Sequence, residues 1–322
     1  MVFFWRLRRC DHLDLPDKVS AAAIAMAFAA GRACKSVETI ALVSPEEATP
    51  ALRKARECGY RPAAVAGRLF LIVSDLRSMP LRKPRPADVA AQIRRALKDG
   101  GSAEHAAGVQ WFFKDEIRSH GWYTAALRRA VRRCRGEILR EHDFDFLVSV
   151  ADNLFSGSVL EEKVAAVFLL EKLDAQFGDR EFQLFEAWLD RISSWADHDG
   201  LVHYLIAPMV AANPARVKDA LRWAKSQERW HRRAACVAMI RGARAKMFFP
   251  EIVKLSDFLL ADRDDMVQKG LGWLLRETAK FDAKRTVPYL MQIRGRAPRL
   301  VLRTACETLP ATTRRKVLAS IS

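Results

Sequence analysis

Three short segments of this chain set an aromatic ring beside a charged side chain at helical spacing. Trp195 and Asp199 are four residues apart, Trp230 and Arg233 three apart, and Lys269, Trp273 and Arg276 stand at i, i+4 and i+7. Within each group the side chains therefore share one helix face. A lone tryptophan on a helix is ordinarily core. Three indoles beside charges suit a different use, a binding surface on which rings meet sugars or bases and guanidinium groups meet phosphates. Metal chemistry has no comparable support. Cys10, Cys34, Cys58, Cys134, Cys236 and Cys306 are scattered without a CxxC pair, His198 and His203 do not fall on one helix face, and HExxH is absent. No metal and no cofactor is expected.

The elements that must position these residues read as helices. From residue 87 onward apolar residues recur three and four apart, as in Val89, Ile93 and Leu97, or Leu160, Val164, Val167 and Leu170, or Val217, Leu221 and Trp223. Phe177-Gly178-Asp179, Asn213-Pro214 and Ala261-Asp262 mark joints between them. Strand alternation is nowhere sustained, so the fold class is all-α. A basic residue followed by small and apolar ones recurs at Lys163, Arg233, Lys269 and Arg303. The spacings of 70, 36 and 34 residues give a period of about 35 once the first is read as two units. That is the length of a helix pair of the kind that stacks into solenoids, and it leaves one member of the series missing near residue 198. Equivalent positions of stacked repeats line up, so the recurring basic residue predicts a charged stripe.

Composition agrees with a polyanionic partner. Of 322 residues, 54 are Lys or Arg and 38 Asp or Glu, a formal net charge of +16. Most of that excess lies after residue 78. Such a balance favours nucleic acid. No run approaches the roughly 20 apolar residues of a membrane helix. The Ala-rich stretch from Val19 to Ala30 follows Asp11, Asp14 and Asp17, the wrong charge for a secretory leader. The scattered cysteines suit reduced thiols of a cytoplasmic protein. Met79-Pro80-Leu81-Arg82-Lys83-Pro84-Arg85-Pro86 reads as a linker or a start, with Met79 a candidate initiator. The expected organisation is an extension of unassigned role over 1–78 and one repeat domain over 79–322.

The segments Trp195-Ala196-Asp197-His198-Asp199, Trp230-His231-Arg232-Arg233 and Gln268 to Glu277 resemble, in type and order, signature stretches of the AlkD family of DNA alkylation repair proteins. Phe112-Phe113-Lys114 through Gly121, followed by Leu127-Arg128, is similar to that family's N-terminal helices. The likeness runs over approximately residues 85 to 315.

The resemblance implies HEAT-like helical repeats stacked into a curved α-solenoid whose concave basic face cradles duplex DNA. It implies a glycosylase that hydrolyses the N-glycosidic bond of cationic lesions such as 3-methyladenine and 7-methylguanine, without turning the base out of the helix. Asp199 matches the family's catalytic aspartate, Trp195 and Trp273 its sugar-contacting tryptophans, and Arg233 and Arg276 its phosphate-contacting arginines. Lys269 and Trp230 join the DNA-binding set from their helix faces. Ala196 departs from the pattern, where many members have Asp. The implied chemistry suits one carboxylate. A cationic purine leaves without protonation, and an anion beside the deoxyribose stabilises the positive charge that develops there. The expected partner is duplex DNA containing alkylated purines, bound by a monomer. Two rivals stand beside this reading, a HEAT-like paralogue that binds nucleic acid without hydrolysis and a protein-binding scaffold.

Overall fold

A computed structural model describes residues 84–319. They lie within Asp75–Ser322, one of the two units into which the chain divides. The expectations placed on residues 1–78 and the initiator reading of Met79 lie outside the described residues.

Among the described residues every regular element is a helix, and the one β-bridge, Arg118 with Val159, is isolated. The helices are α1 (Pro86–Asp99), α2 (Ala103–Gln110), α3 (Thr124–Glu141), α4 (Phe144–Phe155), α5 (Leu160–Leu170), α6 (Asp179–Trp188), α7 (Trp195–Leu201), α8 (Ala207–Ala212), α9 (Val217–Trp223), α10 (Arg229–Arg244), α11 (Phe249–Leu259), α12 (Asp265–Phe281), α13 (Ala283–Ile293), α14 (Arg299–Ala305) and α15 (Ala311–Leu318). A π-helical segment, Val202–Ile206, joins α7 to α8.

Two layers result. One is the series α5, then α7 with the π segment and α8, then α10, α12 and α14, each packed on the next. The other backs it: α4 lies on α5, α9 on α10, α11 on both α10 and α12, and α13 on α12. The expected all-α stack of helical repeats is therefore present. Local chemistry sets the boundaries. The Asp264 side chain accepts from the Met266 and Val267 amides and so starts α12. Ser194 and Asp197 form a reciprocal capping box that starts α7. The core follows the apolar faces, with Val89, Ile93 and Leu97, and Val167 and Leu170, all buried.

The recurring basic position does not form a uniform stripe. Arg303 is exposed and Lys269 half-buried, but Lys163 and Arg233 are 3% and 6% exposed. The reason lies in the repeat that lacks a basic residue. Its helix, α7, carries Asp197 and Asp199, and the flanking repeats reach into them from both sides, Lys163 Nζ lying 3.4 Å from Asp197 Oδ2 and Arg233 pairing with Asp199. Buried charges persist where they are matched in this way.

Candidate functional site

Asp199 is the centre of the matched set. It sits on the last turn of α7, 1% exposed. Arg233, on the first turns of α10, donates from Nε to Oδ1 at 2.9 Å and from Nη2 to Oδ2 at 2.8 Å, a bidentate fork. Its Nη1 donates to the Met266 carbonyl. On the other side His198 Nδ1 lies 2.8 Å from Asp199 Oδ1, and His198 Nε2 lies 3.0 Å from the Trp230 carbonyl. Burial acts to raise the Asp199 pKa. The Arg233 charge and the hydrogen bonds from His198 and Arg233 outweigh it and hold the carboxyl at about 2. The group is a carboxylate at any ordinary pH. Of the roughly four acceptor positions of a carboxylate, three are taken, which leaves one on Oδ2.

Trp195, half-buried, stacks on Phe113 at 5.0 Å between centroids and 15° between planes. Phe113 comes from the segment after α2, which is tied down nearby. Lys114 pairs with Asp265 at 2.7 Å. Buried Glu161 accepts from Ser119 Oγ at 2.7 Å and from the amides of His120, Gly121 and Trp122 at 2.8, 2.9 and 3.2 Å. Gly121 has φ +76°, and a Cβ there would stand 2.0 Å from the Ser102 carbonyl oxygen, so only glycine fits the turn.

Trp273 is 8% exposed and stacks on His203 of the π segment at 5.7 Å and 30°. The π turn arises where Pro208 at the second position of α8 supplies no amide, and the Ala207 amide reaches back five residues to Val202. Burial, then the Arg244 charge, pulls the His203 imidazole down to about 4. The ring against Trp273 is thus neutral near pH 7. Trp230 is half-buried with the Arg229 guanidinium 4.9 Å from its ring centroid. Lys269 Nζ lies 3.1 Å from Asp265, and Arg276 reaches Glu307 at 2.9 Å and Glu277 at 3.4 Å.

The residues named from sequence thus fall into two groups. Asp199, Trp230 and Arg233 are joined where α7 packs on α10, His198 touching Asp199 and Trp230 and Arg233 gripping Asp199, while Trp195, one turn earlier on α7, stacks on Phe113. Lys269, Trp273 and Arg276 line up along α12, with Trp273 joined to the first helix pair through His203. Phe113, His198 and His203 were missed. Phe113 and His203 lie far in sequence from the rings they cover, and His198 carried no signal beyond its place between two aspartates. Among the described residues no group of His, Cys, Asp or Glu could hold a metal, and no helix is long and apolar enough to cross a membrane. Cys134, Cys236 and Cys306 are free and buried, and burial pushes the Cys134 thiol up to about 12.

Comparison with known proteins accords with this architecture. A solved structure described as a predicted DNA alkylation repair enzyme from Enterococcus faecalis superimposes with a TM-score of 0.59 at 17% identity, over 66% of this chain and 97% of that one. At that identity the likeness concerns the fold. No curated protein matches the chain. The family model described as DNA alkylation repair enzyme matches residues 93–309, which take in every site residue above, and this chain belongs to that family.

Proposed function

We propose that the protein is a DNA glycosylase that hydrolyses the N-glycosidic bond of cationic alkylated purines, 3-methyladenine and 7-methylguanine, in duplex DNA, as the first step of base excision repair in the cytoplasm. The observation that carries this reading is Asp199, an ionised carboxylate fixed by Arg233 and His198 with one acceptor position left on Oδ2. A carboxylate held at about pKa 2 is a weak base. It suits electrostatic stabilisation of a developing sugar cation, and orientation of the attacking water, better than outright proton abstraction. Trp195 and Trp273 would bracket the sugar, their ring faces favouring positive charge. Arg276, Lys269 and Trp230 would meet the backbone. Arg233 is spent on Asp199 and Met266, so its part is to hold the acid. The enzyme would act as a monomer without base flipping, and no deep pocket for an extruded base is required.

With Asp199 1% exposed, a nucleoside reaches it only if covering groups give way. The same burial favours a second reading, in which the Asp199 ion pair only joins two repeats of a DNA-binding protein without hydrolysis. Incubation of the full chain with methylated duplex DNA and chromatography of the soluble fraction separates the two. Free 7-methylguanine supports the glycosylase, and DNA binding without release supports the binder.

A further inference from the structure

His198 makes two hydrogen bonds that a neutral imidazole cannot make together. Its Nε2 faces the Trp230 carbonyl at 3.0 Å, and a carbonyl only accepts, so Nε2 carries a proton. Its Nδ1 faces Asp199 Oδ1 at 2.8 Å. That oxygen also accepts from Arg233 Nε at 2.9 Å, while Oδ2 accepts from Nη2, so the carboxylate is ionised and likewise only accepts. A proton is therefore required on Nδ1 as well. Either neutral tautomer would set one lone pair against another at one of the two contacts.

We infer that His198 is a buried imidazolium that fixes Asp199 Oδ1 to the backbone at the start of α10, and that it acts as a positioning residue for the acid. The inference rests on the proposed role of Asp199 for its consequence, though not for the protonation itself. The ring is 0% exposed. Burial, first, and the Arg233 charge push its pKa below the ordinary value on balance, against the bond and charge of Asp199 and the bond to Trp230, which push the other way. The hydrogen-bond count decides between them, because loss of the proton would cost one of two buried contacts. The charged groups acting on the ring are Asp199 from its own helix and Arg233 from α10; Lys163 from α5 is engaged with Asp197, the Arg191 carbonyl and Ser193. Asp199 thus sits between two cations, and the position left on Oδ2 is aimed by both.

The test is nitrogen-15 spectroscopy of the full chain labelled at histidine, with the His198 signals assigned from their loss in His198→Gln. At pH 7 both His198 ring nitrogens should carry protons in the wild type. In Asp199→Asn the ring should become neutral, since an amide can donate to a bare Nδ1, a change that a space-filling histidine would not show. A wild-type ring with one bare nitrogen at pH 7 overturns the inference, as does an imidazolium unchanged in Asp199→Asn. For base release, His198→Gln should lower kcat about tenfold or more with KM little changed, the scale of one charge-assisted hydrogen bond. Equal kcat in His198→Gln would overturn the positioning role. Absence of base release from the wild type would overturn the glycosylase reading instead, and the ring nitrogens would still decide this one.

Discussion

Arg233 grips both carboxylate oxygens of Asp199, at 2.9 and 2.8 Å, across the interface between two successive repeats. The acid of the candidate site and the pairing that joins α7 to α10 are thus one structure. Removing either partner leaves a charge in a place that water does not reach.

Arg233→Ala should accordingly destabilise the protein by on the order of 3 kcal/mol, the usual cost of orphaning one half of a buried ion pair. The salt dependence of DNA binding should keep its slope, because the guanidinium is committed to Asp199 and Met266. Urea unfolding and binding titrations at several salt concentrations report the two quantities. A slope reduced by about one, with stability unchanged, would return Arg233 to the phosphate-contacting role that the sequence suggested.

Lys269 is the contrasting case. It is half-buried, and its partner Asp265 also takes Lys114. Lys269→Ala should leave stability within about 0.5 kcal/mol, as for a surface pair, and lower the salt slope of DNA binding by roughly one. An unchanged slope would remove Lys269 from the interface.

The pH dependence of stability has a definite sign. The folded-state pKa of Asp199 is depressed, about 2 against an ordinary 3.8, so its ion pair contributes in full above about pH 4. That contribution is lost as pH falls towards 2. The difference in melting temperature between wild type and Asp199→Asn should widen as pH falls from 7 to about 5, because only the wild-type folded ring of His198 already holds the proton that the unfolded histidine takes up, and should shrink below about pH 4.5. A difference that closes between pH 7 and 5 would mean that Asp199 is not held ionised.

Gly121 fixes the segment that brings Phe113 to Trp195. Gly121→Ala should cost roughly 1–3 kcal/mol, because the position has positive φ and no room for a Cβ. It should also weaken the Phe113 stack, visible as a change in tryptophan fluorescence that Trp195→Phe abolishes.

Much of the fold was legible because it rests on local chemistry. The 3.6-residue periodicity of Val89, Ile93 and Leu97, and the break at Asn213-Pro214 that ends α8, act within one helix. The period of about 35 was legible for the same reason, being a property of helix pairs. Burial of the charged residues was not. Lys163 and Arg233 read as a solvated stripe because a basic residue at a regular interval ordinarily faces water. What turned them inward was a pair of aspartates one repeat away, and a pairing of that kind depends on how helices stack. His198 was invisible for a related reason, since the backbone carbonyl it meets has no sequence signature. The π turn that carries His203 depends on one missing amide, at Pro208, whose effect on register appears only once α7 and α8 are joined.

The central claim is that Asp199 performs the chemistry, and one comparison tests it most directly. Wild type and Asp199→Asn are incubated with the same methylated duplex DNA, binding is measured in parallel, and released 7-methylguanine is quantified against time. The account predicts that the variant binds DNA within a few-fold of wild type and releases base on the order of 100-fold more slowly, the loss expected when a preorganised electrostatic group is removed. Equal rates of release would contradict it.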